Sequence, residues 1–89
     1  MQFLIQWTVA PERRDEIQGR FLETGAPPPE GVEMLGRWHR ASGGGGMCIA
    51  QSDDPQAIAS WAQQWSDGMR FSIELVMLDQ EAAAVMRPS

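Results

Sequence analysis

The stretch from Met34 to Ile49, MLGRWHRASGGGGMCI, constrains the fold more than any other part of the chain. It reads as a strand, a glycine-rich turn and a second strand. Its four consecutive glycines take positive φ freely, which makes them hairpin material. A phosphate-cradling loop needs a helix after its glycines. Here Met47, Cys48, Ile49 and Ala50 follow instead, and they predict a strand. The strand before the turn is expected over 32–41. On it Met34, Gly36 and Trp38 share one face, while Glu33, Leu35, Arg37 and His39 share the other. The same stretch holds the only histidine, the only cysteine and two of the seven arginines. Met34 and Trp38 are expected to face the helices, and His39 the opposite side.

One helical pattern lies on each side of this hairpin. Before it, residues 2–9 are rich in β-branched and aromatic side chains and predict a first strand. Phe3, Ile5, Trp7 and Val9 form one fully apolar face, and Gln2, Leu4, Gln6 and Thr8 a mixed one. Pro11 opens a helix, Glu12, Asp15 and Glu16 favour its N-terminal dipole, and Gly25 is placed as its C-cap. Ile17, Phe21 and Leu22 supply its apolar stripe. Gly19 weakens it by about 1 kcal/mol relative to alanine, which suggests a close contact with the sheet. Pro27, Pro28 and Pro29 then enforce a stiff, extended return. After the hairpin, Asp53-Asp54-Pro55 predicts a helix start, a capping carboxylate followed by proline in the first turn. Ala57, Ile58, Trp61, Ala62 and Trp65 follow the spacing of a buried stripe, with Gly68 as the expected stop. Residues 70–78 predict a fourth strand and Asp79–Val85 a short last helix, ended by Pro88.

The order β-α-β-β-α-β with a terminal helix predicts one α+β domain over 1–89. Two split βαβ units give a ferredoxin-like sheet with both main helices on one face. The other face is too apolar for open water. Pairing two such faces about a two-fold axis hides both, so the expected partner is a second copy of the chain, forming a homodimer.

Composition narrows the function classes. The net charge is −5, and every basic residue is arginine. An acidic chain repels phosphate backbones, so no nucleic-acid partner is expected. The apolar runs are too short to cross a bilayer, so no membrane partner is expected either. No secretory leader is visible, and the lone Cys48 suits a reducing compartment; the expected location is cytoplasmic. One histidine, one cysteine and no clustered carboxylates make no metal-ligand set, and no cofactor is expected.

Several pieces together carry a family resemblance: Trp7-Thr8, the run from Phe21 to Val32 with its three prolines, Leu35-Gly36-Arg37-Trp38-His39, Ser52-Asp53-Asp54-Pro55 and Gln64-Trp65-Ser66-Asp67. The chain resembles a small bacterial family of unknown function placed in the dimeric α/β barrel superfamily. The resemblance spans nearly the whole chain and implies a fold and a dimer, but no catalytic residue. The superfamily contains cofactor-free quinone-forming monooxygenases, haem-degrading monooxygenases, small isomerases and stress-response dimers. The haem-degrading branch places its iron-ligating histidine on the second helix. Here that helix carries Trp61 and Trp65, and the histidine lies on a strand, which argues against haem.

Two readings of the candidate residues stand side by side. In the first, His39 is a base that takes a proton from a phenol or enol, and Arg37 holds the resulting oxyanion. Trp7, Trp38, Trp61 and Trp65 then wall an aromatic-binding cavity, and the chemistry is that of a cofactor-free monooxygenase or isomerase. In the second, His39 is an interface histidine, Arg37 and Arg40 pair with acids, and the tryptophans are core. The protein is then a non-catalytic dimeric binding or stress-associated module. Cys48 reads as a buried, inert thiol.

Overall fold

Strand β1 (Gln2–Val9) is central in a four-stranded antiparallel sheet. It pairs on one side with β3 (Gly45–Gln51) and on the other with β4 (Met69–Val76). Strand β2 (Glu33–His39) pairs with β3 and forms the far edge, giving the order β2-β3-β1-β4. Helix α1 (Arg14–Thr24) joins β1 to β2, α2 (Pro55–Gln63) joins β3 to β4, and α3 (Asp79–Met86) ends the chain. This is the α+β ferredoxin-like arrangement expected from the element order. The computed structural model describes residues 1–88.

The alternation of β1 decides where the core lies. Phe3, Ile5 and Val9 are buried, and α1 and α2 both pack on that face. From α2, Ile58 and Trp61 meet Phe3, Ile5, Cys48 and Ala50. Around Val9, Ile17 of α1 meets Trp65. Ile58 is only 2% exposed, so its truncation to alanine removes about 2–5 kcal/mol of packing.

Local chemistry sets the helix ends. A short 3-10 turn at Pro11–Arg13 precedes α1. Gly25 adopts the left-handed conformation (φ 74°), and its N–H donates to the Phe21 carbonyl at 2.7 Å. The Asp54 carboxylate accepts from the Gln56 N–H at 2.9 Å and caps α2. Helix α2 stops at Gln63, earlier than expected. Tight turns follow to Gly68, where the missing Cβ admits Ile17; a Cβ there would come within 2.6 Å of its Cδ1. Gly19, by contrast, has open space where a Cβ would stand, so it marks no contact with the sheet.

Two features of the central hairpin differ from the alternation in the sequence. Gly45 and Gly46 belong to β3 rather than to the turn. A Cβ at Gly46 would come within 2.6 Å of the Trp7 ring, so strand β3 is bare where that indole crosses it. The register of β2 also slips: Met34 pairs with Ala50, Gly36 with Ile49, and Leu35 is the extra residue of a bulge. A one-residue slip turns every later side chain to the other face. Arg37 therefore lies opposite buried Cys48 and His39 opposite Gly46, on the helix side, together with Met34. Trp38 pairs with Met47 on the outer face, where its ring lies over Gly36.

That outer face carries Leu4, Met47, Ile49 and Trp38 among Gln2, Gln6, Glu33 and Gln51. In the single chain Trp38 is 58% exposed. Helix α3 buries none of its residues, and Val85 and Met86 face solvent.

Candidate functional site

A cavity of about 280 Å³ lies between the sheet and the two main helices. For scale, a dry apolar cavity of about 150 Å³ holds benzene. Its floor comes from the helix-side residues of the strands, including Ile5, Trp7, Cys48 and Phe71. Its roof comes from Ile17 and Phe21 of α1 and from Trp61 of α2 with Trp65 just beyond it. Trp61 and Trp65 are one helical turn apart in spacing and come to the same side.

Trp7, Trp61 and Trp65, three of the four tryptophans singled out in the sequence, meet here. Trp38 does not: the bulge at Leu35 carries it to the outer face. Among the described residues, none of the side-chain hydrogen bonds involves an indole N–H, and no buried side-chain nitrogen or oxygen is left without a partner. The three indole N–H groups therefore keep some access to the cavity or to solvent, as unspent donors.

The same bulge brings Arg37 and His39 to the cavity wall. The expectation that His39 points away from the helices is overturned for that reason: strict alternation does not survive an inserted residue. His39 is exposed at the mouth. Its ring stands edge-on to Phe21, with centroids 5.0 Å apart, and edge-on to Trp7 at 6.0 Å. Among the described residues the His39 side chain makes no hydrogen bond, so its imidazole nitrogens are free to meet a ligand.

Arg37 is half-buried and tied to the end of α1. Its two terminal nitrogens donate to the carbonyls of Ala26 (2.8 Å) and Gly25 (3.0 Å). Gly25 is the C-cap of α1, so its carbonyl is one the helix end leaves unsatisfied, Ala26 directly follows it, and a cation there also suits the helix dipole. The guanidinium lies 5.0 Å from the Phe21 ring centroid, so Phe21 touches both Arg37 and His39. Arg37 is thus a structural anchor as well as a cavity residue. Below it, burial pushes the Cys48 thiol up from its usual range, and the charge of Arg37 pulls the other way. The net rise keeps Cys48 a neutral thiol rather than a nucleophile.

The sequence offered no signal for Gln18, which also borders the cavity, because an exposed glutamine on a helix is usually solvated. Nor did it show how α1 is held over the site. Arg13 and Arg20 both bind the Asp67 carboxylate, at 3.2 and 3.0 Å, and Arg20 also donates to the Gln64 carbonyl. Arg20 stacks on the Trp65 ring, 4.5 Å from its centroid. These contacts fasten α1 to the segment between α2 and β4.

Among the described residues no helix is long and apolar enough to cross a membrane. The fold resembles that of a Nitrosomonas europaea protein proposed to be an antibiotic biosynthesis monooxygenase. The two share 10% identity over 88% of this chain and 100% of that one, with a TM-score of 0.51, a likeness of fold alone. An uncharacterised NIPSNAP domain protein of Burkholderia xenovorans aligns at 12% identity over 89% and 97% of the two chains, with a TM-score of 0.47. No curated protein matches the chain in sequence. The sequence profile of the family described as "Domain of unknown function (DUF3303)" matches residues 1–89, in agreement with the resemblance carried by the proline run and the Gly-Arg-Trp-His motif.

Proposed function

We propose that this chain, which belongs to the DUF3303 family, binds a small aromatic molecule in the cavity between its sheet and helices and uses His39 to take a proton from it. The observation that carries this reading is the pairing of an aromatic-lined void with an imidazole at its mouth that has no protein hydrogen-bond partner among the described residues. Trp7, Trp61 and Trp65 offer flat apolar surface and N–H donors. His39 is the one imidazole at the cavity, a group that can both accept and donate a proton. In the step proposed, the O–H bond of a phenol or enol breaks, an imidazole nitrogen gains the proton, and the resulting oxyanion pairs with the imidazolium, with the positive charge of Arg37 on the same cavity wall favouring the anionic form. An electron-rich anion of this kind is what isomerase or cofactor-free oxygenase chemistry starts from.

A probe whose colour reports its ionisation tests the step. Bound 4-nitrophenol should show a larger phenolate band with the wild type than with His39→Ala at the same pH. Binding with no difference in that band would leave a binding module and remove the base. Absence of binding by the wild type would remove both.

The unit that carries the site is proposed to be a homodimer formed through the outer face of the sheet. Trp38 and Met47 are exposed there beside Leu4 and Ile49, and α1 and α2 lie on the opposite side. A twin surface would remove this apolar area from water at roughly 25 cal/mol per Å². A cytoplasmic setting suits the unpaired Cys48 thiol.

A further inference from the structure

Building on the aromatic-binding reading above, we infer that the ligand is an aromatic monoanion of one or two rings, with a carboxylate seated on Arg37 and a hydroxyl or enol across the ring facing His39. The sign of the charge follows from what borders the cavity. The chain has twelve acidic residues, and none of them lines it. The polar groups that do are Gln18, Arg37, His39, Cys48 and the indole N–H groups. Apart from the glutamine oxygen and an imidazole nitrogen, these are donors or cations. A ligand with an ammonium group would find no counter-charge there.

Arg37 sharpens the point. Arg13 pairs with Glu16 and Asp67, Arg14 with Asp15, and Arg20 with Asp67. Arg37, half-buried, has no carboxylate partner among the described residues, in a protein of net charge −5. A guanidinium carries five N–H donors, and two of those of Arg37 are committed to Ala26 and Gly25. The helix end offsets its charge only in part, by about half a unit. A shielded cation with donors to spare is matched by a planar carboxylate, which takes two of them at once.

The second polar group follows from spacing. Arg37 and His39 stand two residues apart on one face of β2, about 7 Å along the strand. A ligand that reaches both must carry its polar groups on opposite sides of a ring, not on neighbouring carbons. About 280 Å³ accommodates one or two rings and is small for three.

Paired ligands that differ only in charge test this. 4-Hydroxybenzoate and 4-hydroxybenzamide are titrated into the wild-type protein by calorimetry. The acid should bind at least about tenfold tighter, because a charge-assisted pair is stronger than a neutral one. In Arg37→Gln that preference should vanish, whatever loss of affinity the two ligands share, and binding of the amide to the variant shows that the cavity has formed. Should the variant not fold, the wild type still decides, since the preference for the acid should shrink in high salt. Equal or better binding of the amide overturns the charge assignment and leaves the aromatic reading standing. Failure of both to bind at millimolar concentration overturns the two together.

Discussion

The His39 imidazole stands edge-on to the Phe21 ring, with 5.0 Å between centroids, and this contact joins strand β2 to helix α1 at the mouth of the cavity. Phe21 meets Arg37 on the same terms, 5.0 Å from the guanidinium carbon. Phe21→Ala should therefore loosen both polar residues at once. Loss of a half-buried phenyl ring should cost about 2 kcal/mol, below the 3–5 kcal/mol of a fully buried one. Urea unfolding gives that number, and the same variant should bind 4-nitrophenol more weakly than Phe21→Leu, which keeps the apolar bulk.

His39→Ala separates function from scaffold. The side chain is exposed and makes no hydrogen bond among the described residues, so unfolding free energy should move by no more than about 0.5 kcal/mol. Sedimentation should show an unchanged mass. A variant that loses both stability and self-association would identify His39 as an interface residue.

The glycines predict a pair of opposite effects. Gly19 has open space at its Cβ position within α1, so Gly19→Ala should stabilise by about 1 kcal/mol. At Gly46 a Cβ would meet the Trp7 ring and the Trp38 carbonyl, so Gly46→Ala should destabilise by about 1–3 kcal/mol. Thermal melts of the two variants should shift in opposite directions.

Acid should loosen α1 from the α2–β4 segment. Hydrogen bonds from Arg20, and then Arg13, hold the Asp67 carboxyl below its usual range, and Arg13 does the same for Glu16. A carboxyl whose folded pKa is depressed adds stability above its unfolded pKa, near 4, and loses it as pH falls through the lower folded value. Both carboxylates are about half exposed, so salt should weaken the effect. The protection factors of the α1 amides, which allow for the intrinsic slowing of exchange in acid, should fall from pH 6 to pH 3 in the wild type, and the fall should be smaller in Asp67→Asn.

Much of the fold was legible because its signals are local. The apolar alternation of β1, the Asp54-Pro55 start of α2 and the Gly25 stop of α1 each depend on a few neighbouring residues. The site was less legible because one non-local feature decides it. Gly36 is the one local hint of a bulge, since a glycine inside a strand often marks one, but it does not fix where the extra residue falls. The bulge becomes visible only when Met34 pairs with Ala50 and Gly36 with Ile49. That slip moves Arg37 and His39 to the cavity and Trp38 away from it. Gly45 and Gly46 resemble turn residues for a related reason: their bareness serves Trp7, which is distant in sequence.

The four indole N–H signals of an isotope-labelled sample test the central claim most directly, because each reports one tryptophan. On addition of 4-nitrophenol, the account predicts shifts at Trp7, Trp61 and Trp65, all of which line the cavity, and none at Trp38 on the outer face. Shifts confined to Trp38, or no shift at any of the four, would contradict it.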